Sequence, residues 1–313
     1  MNNRTVRVKI PASTANLGSG FDAVGMAFQL YTTILMREAE VTSIHLHGKE
    51  MEGVPLDKSN LLYQVAQSLY REAGLADPEL YMEVQTDVPL TRGLGSSATA
   101  IVGALVAANA LAGEPFTKEQ LFYMASKWEG HPDNVGASLF GGIIVATMPE
   151  EDEGKEIPYV RLDAPEGLKT LVVIPQYHLS TEKARHVLPE TYEKKDMVYS
   201  IGRSALLIAS LASGKLEVLT QAMRDRMHQP YRSQLVPGLS EMLSDAYLHG
   251  AIGTALSGAG PTVLFFYKED SAKEKLLSFV DHLMSHHKIA YETLELLVDE
   301  TGVEVDVLSS IGS

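Results

Sequence analysis

Pro89-Leu-Thr-Arg-Gly-Leu-Gly-Ser-Ser-Ala-Thr99 is the stretch on which the reading of this 313-residue chain turns. Its glycines let the backbone come close to a ligand, and Ser96 and Ser97 open an alanine-rich run through Ala112, closed by Gly113, that reads as a buried helix. A helix beginning there aims its unpaired first-turn N–H groups, and the positive end of its dipole, at whatever the loop cradles. Phosphate oxygens suit that setting, and Ser96 or Ser97 would add a hydroxyl ligand for magnesium. An ordinary capped helix after a tight loop uses the same residues, because short glycine motifs recur for many reasons.

Outward from this loop, residues 80–86 alternate like a strand, and residues 60–73 space Leu61, Leu62, Val65, Ala66 and Leu69 as one helix face that Gly74 stops. Residues 5–10, 27–37 and 43–47 also read as strands, the first ending at Pro11. Downstream, Thr117 with Gln120 forms a capping box for a helix over residues 118–128, after which the chain meets Gly130, Pro132 and Gly136. The acidic run 149–158 is too polar for a core and marks an exposed loop. The second half predicts strands over 169–174, 261–267, 290–296 and 302–307, with helices over 198–212, 215–227, 239–248 and 271–286. Strands and helices mixed without strict βαβ repetition mean an α+β fold, with a domain boundary near residue 165.

Forty acidic residues against 26 basic ones leave a formal charge of −14. That is the wrong sign for a protein whose affinity comes from neutralising a nucleic-acid backbone, so nucleic acid is not expected as a partner. A small anionic ligand held by local backbone donors is still permitted. The absence of cysteine removes disulfides, cysteine-ligated zinc, iron–sulfur clusters and thiol nucleophiles. With 45% hydrophobic and 21% charged residues, and no apolar run long enough to span a bilayer, the chain reads as a globular, cytoplasmic protein without a membrane partner.

Five further motifs bear on function. Pro11-Ala-Ser-Thr-Ala-Asn-Leu-Gly-Ser-Gly-Phe-Asp22 follows the first strand; Asn16 suits orienting a hydroxyl and Asp22 pairing with an ammonium group, or the two make an Asx turn. In Glu129-Gly-His-Pro-Asp-Asn134, Glu129 would complete an oxygen ligand set for magnesium, and His131 would be a metal ligand, a general base or a hydrogen-bonded structural residue. Arg185 in Ser180-Thr-Glu-Lys-Ala-Arg185 and Arg232 in His228-Gln-Pro-Tyr-Arg232 would grip a carboxylate through forked hydrogen bonds, or simply lie exposed. Ser257-Gly-Ala-Gly-Pro-Thr262 is a glycine loop before a strand, small enough to pack against a neighbouring loop or a ligand. No G-x-x-x-x-G-K-[ST] occurs, which excludes a Walker-type NTPase. The relaxed dinucleotide pattern fits at Gly93 to Ala98 and at Gly18 to Ala23, but the first is set off from its strand by residues 87–92 and the second precedes a strand.

The three glycine motifs in this order, residues 11–22, 89–99 and 257–262, resemble the signature motifs of the GHMP small-molecule kinases. With residues 129–134 and 180–185 they are similar to the branch of that superfamily that phosphorylates homoserine in threonine biosynthesis, and the resemblance spans nearly the whole chain. It implies a two-domain α+β fold: residues 1–165 an ATP-binding domain like ribosomal protein S5 domain 2, with a left-handed crossover, and residues 166–313 ferredoxin-like. It further implies ATP and Mg2+ as cofactors, L-homoserine as acceptor, and a homodimer. ATP would lie across Pro89, Leu90, Thr91, Arg92, Gly93, Leu94, Gly95, Ser96, Ser97, Ala98 and Thr99, with Asn60 near the adenine. The magnesium ligands implied are Ser96 and Glu129. The amino-acid site would be Asn16, Asp22, His131, Asn134, Arg185 and Arg232, with Asn134, Asn16 and His131 acting at the reacting hydroxyl. Ser257, Gly258, Gly260 and Thr262 would form the supporting loop.

One position bears on mechanism. Several relatives use an aspartate base near the counterpart of Asn134, and asparagine takes no proton at neutral pH. Catalysis by alignment is therefore implied, with the acceptor hydroxyl in line with the γ-phosphorus and its proton passing to a phosphate oxygen. A sister kinase acting on mevalonate, shikimate or a sugar, a non-catalytic metabolite-binding relative, and a nicotinamide enzyme are the alternatives.

Overall fold

Val6, Val8 and Ile10 are buried between more exposed neighbours along β1 (Arg4–Ala15), the alternation of a strand with one face on a core. In the computed structural model, which describes residues 4–48, 51 and 53–309, this strand lies in a seven-stranded sheet. Its main path runs β11 (Glu304–Ser309), β1, β2 (Val24–Glu38), β4 (Leu80–Thr86), β3 (Ser43–Gly48). The start of β2 also pairs with β5 (Ile143–Ala146), which pairs with β6 (Tyr159–Leu162). All neighbours are antiparallel except β3 with β4.

The alanine-rich segment forms α2 (Ser96–Leu111) against β1 and β2, flanked by α1 (Leu61–Glu72) and α3 (Lys118–Glu129), while α4 (Asp133–Phe140) packs on the same two strands. Small side chains let α2 approach the sheet closely: a Cβ on Gly103 would meet Ile34 at 2.5 Å and Ile10 at 2.7 Å. Every residue of α2 from Ile101 onward is buried. The Thr117 and Gln120 capping box opens α3 as expected.

The second sheet is antiparallel, in the order β10 (Tyr291–Leu296), β7 (Lys169–Pro175), β9 (Val263–Tyr267), β8 (Gly253–Leu256). Its side chains alternate between two cores. Leu171, Val173, Phe265 and Tyr267 join residues of α9 (Leu239–Asp245) and α10 (Asp270–His287). Val172, Ile174, Leu264 and Phe266 join Leu207 and Leu211 of α6 (Lys194–Ser213), together with Met26 and Phe28 of the first sheet. Three short helices, α5 (Thr181–His186), α7 (Leu219–Ala222) and α8 (Gln229–Arg232), complete the second half. The architecture is α+β. β6 ends in the first sheet and β7 begins in the second, yet β11 returns to the first, where Lys9 pairs with Glu304 in register and through an ion pair. Among the described residues no helix is long and apolar enough to cross a membrane.

Several local expectations need correction. β1 does not end at Pro11 but continues to Ala15: pairing with β11 stops at Lys9, so no partner needs the missing N–H, and the β2 register shifts at Pro11/Ala12. Residues 215–227 are not one helix. They form a 3-10 turn and the single-turn α7, because the Asp225 carboxylate accepts the N–H groups of Met227, His228 and Gln229 and starts a new turn. Residues 246–248 continue α9 only as a 3-10 turn. Helices α4, α5 and α8 and strands β5, β6 and β8 were not foreseen.

Candidate active site

The three glycine motifs meet at a solvent-open cleft between the two halves. Gly95 is the N-cap of α2 in the left-handed conformation (φ 71°, ψ 28°) and has no side chain with which to cap it. The first-turn N–H groups therefore lack a side-chain acceptor where Gly93, Gly95, Ser96 and Ser97 line the cleft. Nothing larger than glycine fits the floor of this cradle: a Cβ on Gly95 would stand 2.2 Å from Ser13 Oγ, and one on Gly93 would stand 2.3 Å from the Ser257 carbonyl oxygen. Ser257 Oγ donates to the Gly93 carbonyl (2.6 Å), so in its 2.7 Å bond with Thr14 the threonine must be the donor. The first motif thus braces the second through the third.

Glu129, at the end of α3, accepts a hydrogen bond from Ser97 Oγ at 2.8 Å, and burial pushes its carboxyl above the ordinary range. Ser96, Ser97 and Glu129 line one side of the cleft with an all-oxygen donor set, which fits a hard cation such as magnesium. The expected pair was Ser96 with Glu129; the hydroxyl bonded to the glutamate is that of Ser97.

Beyond Gly130, α4 projects Asp133 and Asn134 into the same space. Asp133 is fully buried; its Oδ1 bonds His131 Nδ1 at 2.5 Å and the Asn134 N–H at 2.7 Å, while Oδ2 has no partner among the described residues. Burial opposes a charge on His131, but Asp133, then Glu129 and Asp22, more than offset it and lift its pKa to about 9. The ring is therefore cationic at neutral pH and donates hydrogen bonds. Asn134 Oδ1 accepts from Ser13 Oγ (3.0 Å), which accepts from Ser138 Oγ (3.3 Å). That chain of donors leaves the Asn134 Nδ2–H groups, not its oxygen, for a ligand.

The opposite wall is charged. Asp22 pairs bidentately with Arg185 from α5 (2.8 and 2.9 Å), and Arg232 from α8 lies beside them, 2% exposed. Burial, then the nearby Arg185 charge, lowers Arg232 to about 10, still cationic at neutral pH. Asn16 sits at φ 73°, an angle asparagine tolerates; its Oδ1 accepts the Asp22 N–H and its Nδ2 donates to the Gly258 carbonyl. One Nδ2–H remains for the cleft that Asn16 lines.

The cleft thus gathers Asn16, Asp22, Thr91, Gly93, Gly95, Ser96, Ser97, Glu129, His131, Asn134, Arg185, Arg232, Gly258 and Gly260. Other expected residues lie off its lining. Asn60 caps α1, its Oδ1 accepting the Leu62 N–H. Arg92 is buried and donates to the Pro175 carbonyl, tying the loop to β7. Leu94 is packed in the core between the sheets, and Thr99 donates back to the Ser96 carbonyl. Pro89, Leu90, Ala98, Ser257 and Thr262 also lie outside the lining, Ala98 in the core under the first sheet and Ser257 bonded to Gly93. Asp133 and Ser13 had been assigned no role; the signal available was their place inside the quoted motifs.

Profiles for the GHMP kinases N terminal domain and the GHMP kinases C terminal match residues 60–142 and 207–286. The homoserine kinase of Deinococcus radiodurans is 42% identical over 303 residues, 97% of this chain and 97% of its own length. The chain belongs to the GHMP kinases. Within this family it is also similar to the homoserine kinase of Desulfitobacterium hafniense, 42% identical over 96% of this chain and 99% of that protein. A crystal structure of homoserine kinase from Cytophaga hutchinsonii matches with a TM-score of 0.83 at 25% identity, covering 98% of both chains. A mevalonate kinase crystal structure, at 14% identity and a TM-score of 0.64, shares the fold alone. As a GHMP kinase the chain has the family's two-domain fold and is an ATP-dependent small-molecule kinase.

Proposed function

We propose that this GHMP kinase transfers the γ-phosphoryl group of ATP to the side-chain hydroxyl of L-homoserine, giving O-phospho-L-homoserine. The observation that carries the choice of acceptor is the charged wall. Asp22 and Arg185 neutralise each other there, with Arg232 alongside. A zwitterionic amino acid exchanges that pair for two new ones, ammonium on Asp22 and carboxylate on the arginines. Mevalonate or shikimate would bring a carboxylate for the arginines but no ammonium to replace Arg185 on Asp22, and a neutral sugar would bring neither charge.

At the other side of the cleft, the backbone around Gly93 and Gly95 and the start of α2 would hold the phosphates. Ser96 and Glu129 would hold magnesium, which when bound offsets phosphate charge. Asn134 Nδ2 would donate to the acceptor hydroxyl oxygen, leaving that group's own proton directed at a phosphate oxygen. His131, cationic and braced by Asp133, would add positive charge beside the transferring group. Magnesium dependence, a homodimeric state, a cytoplasmic setting and a division into domains near residue 165 belong to the same proposal.

The test is ADP release with L-homoserine, mevalonate, shikimate or galactose as acceptor, in the wild type and in Ser96→Ala. Turnover should depend on L-homoserine and fall sharply in the variant. Turnover with another acceptor and none with L-homoserine would overturn the reading.

A further inference from the structure

His228 is fully buried and lies outside the cleft lining, yet it is wired into the charged wall. The Arg232 guanidinium donates from Nε to the Ala184 carbonyl (3.0 Å) and from Nη1 to the Gly258 carbonyl (3.0 Å) and His228 Nδ1 (3.2 Å). Among the described residues its Nη2 has no hydrogen-bond partner, and Arg232 lines the cleft. The other ring nitrogen of His228, Nε2, is 2.7 Å from the carbonyl oxygen of Gly18, in the loop that carries Asn16 and Asp22.

These partners fix the proton. A carbonyl oxygen only accepts and a guanidinium only donates, so Nε2 carries the hydrogen and Nδ1 is bare. Burial depresses the pKa of the ring and so keeps it neutral. The surroundings hold it in place. Phe21 stacks on the imidazole at 4.9 Å and 19°, and the Asp225 carboxylate, 3.5 Å from Nε2, caps the turn on which the ring sits. Gly18 is closed against Met223, whose carbonyl oxygen would lie 2.0 Å from a Cβ there.

We propose that His228 is a positioning residue for acceptor recognition: by accepting from Arg232 and donating to Gly18, it locks the guanidinium to the loop that bears Asp22, with Nη2 left for the acceptor's carboxylate. The inference rests on the homoserine reading and deepens it. Without the ring nitrogen, Nη1 keeps only the Gly258 carbonyl, and two hydrogen bonds in place of three hold the guanidinium, which loses its tie to the loop of Gly18.

Initial rates varied over L-homoserine and over ATP test this. A wild type that does not phosphorylate L-homoserine defeats the functional reading itself. With an active wild type, His228→Leu should raise the KM for L-homoserine roughly ten- to a hundredfold, the loss of one hydrogen bond to a charged group. The KM for ATP and the kcat should stay within about threefold, the signature of lost substrate binding. His228→Asn, whose Oδ1 takes the place of Nδ1, should restore most of the affinity; His228→Gln, which reaches toward Gly18 instead, should not. In an Arg232→Ala background, His228→Leu should add no more than about twofold, because the two residues act as one unit. An unchanged KM in His228→Leu, equal KM values for the Asn and Gln variants, or independent effects of the His228 and Arg232 changes would each overturn the proposal. If His228→Leu does not fold, the Asn and Gln comparison decides.

Discussion

Replacing Gly95 by alanine perturbs the phosphate cradle with one methyl group and leaves every charged side chain in place. The new Cβ would sit 2.2 Å from Ser13 Oγ and 3.1 Å from that residue's backbone nitrogen and oxygen. The hydroxyl must therefore retreat by about 1 Å to reach ordinary contact. Ser13 Oγ is held between Ser138 and Asn134, so moving it orphans the buried Asn134 Oδ1, which costs about 1–3 kcal/mol. Holding a residue with a Cβ at φ 71° adds about 1 kcal/mol. Together these destabilise the fold by about 2–4 kcal/mol, or roughly 3–6 °C in melting temperature for a chain of this length. Activity should fall further, since the methyl group displaces the residue that orients Asn134 and crowds the helix start. We expect kcat/KM for L-homoserine to drop by about a hundredfold or more, the scale of losing one preorganised donor. Thermal melts and coupled ADP release should be run beside Gly74→Ala, at the same φ of 71° but with open space where its Cβ would go. That control carries only the backbone strain and should keep its activity. If the two variants melt and turn over alike, Gly95 is not the closed floor of the cradle and the steric reasoning is wrong.

Two other outcomes follow from the geometry. Gly202 lies inside α6 with nothing within 4 Å of its would-be Cβ, so Gly202→Ala should stabilise the protein by about 0.5–1 kcal/mol in melts, and a loss of stability would contradict this. Asn134→Asp keeps the bond from Ser13 but places a carboxylate beside Asp133; kcat should not exceed that of the wild type, and a severalfold gain would sink catalysis by alignment.

Where one rule dominated locally, the sequence was readable. Strand β4 follows the alternation of Leu80, Met82 and Val84, and α3 starts where Thr117 and Gln120 cap each other. α2 was legible through composition and not through period, because it is buried nearly all round and has no polar face. Helix α4 was hidden by Pro132 and Gly136. The proline sits at the helix N-cap, where its missing N–H is harmless, and Gly136 makes room for Phe122, which would lie 2.9 Å from a Cβ. At Gly136 tertiary packing overrode a local propensity that opposed the helix. In the site, charge and residue type pointed to Asp22, Arg185 and Arg232, but that Asp22 and Arg185 pair with each other depends on a contact spanning 163 positions. The roles of Ser13 and Asp133 come from orienting other side chains, which a one-dimensional pattern does not display.

The pairing of β11 with β1 sets a clock on biosynthesis. Lys9 and Glu304, neighbours in the finished sheet, are 295 positions apart. From the end of β6 to the start of β11 a ribosome must add about 140 residues, which at roughly 5–20 residues per second takes about 7–28 s. For that interval the nascent amino-terminal half carries β1 as an unprotected rim of backbone donors and acceptors, the kind of surface that recruits stray strands. The final strand is thus a closing stitch whose late arrival decides how long the newborn chain is exposed to self-association.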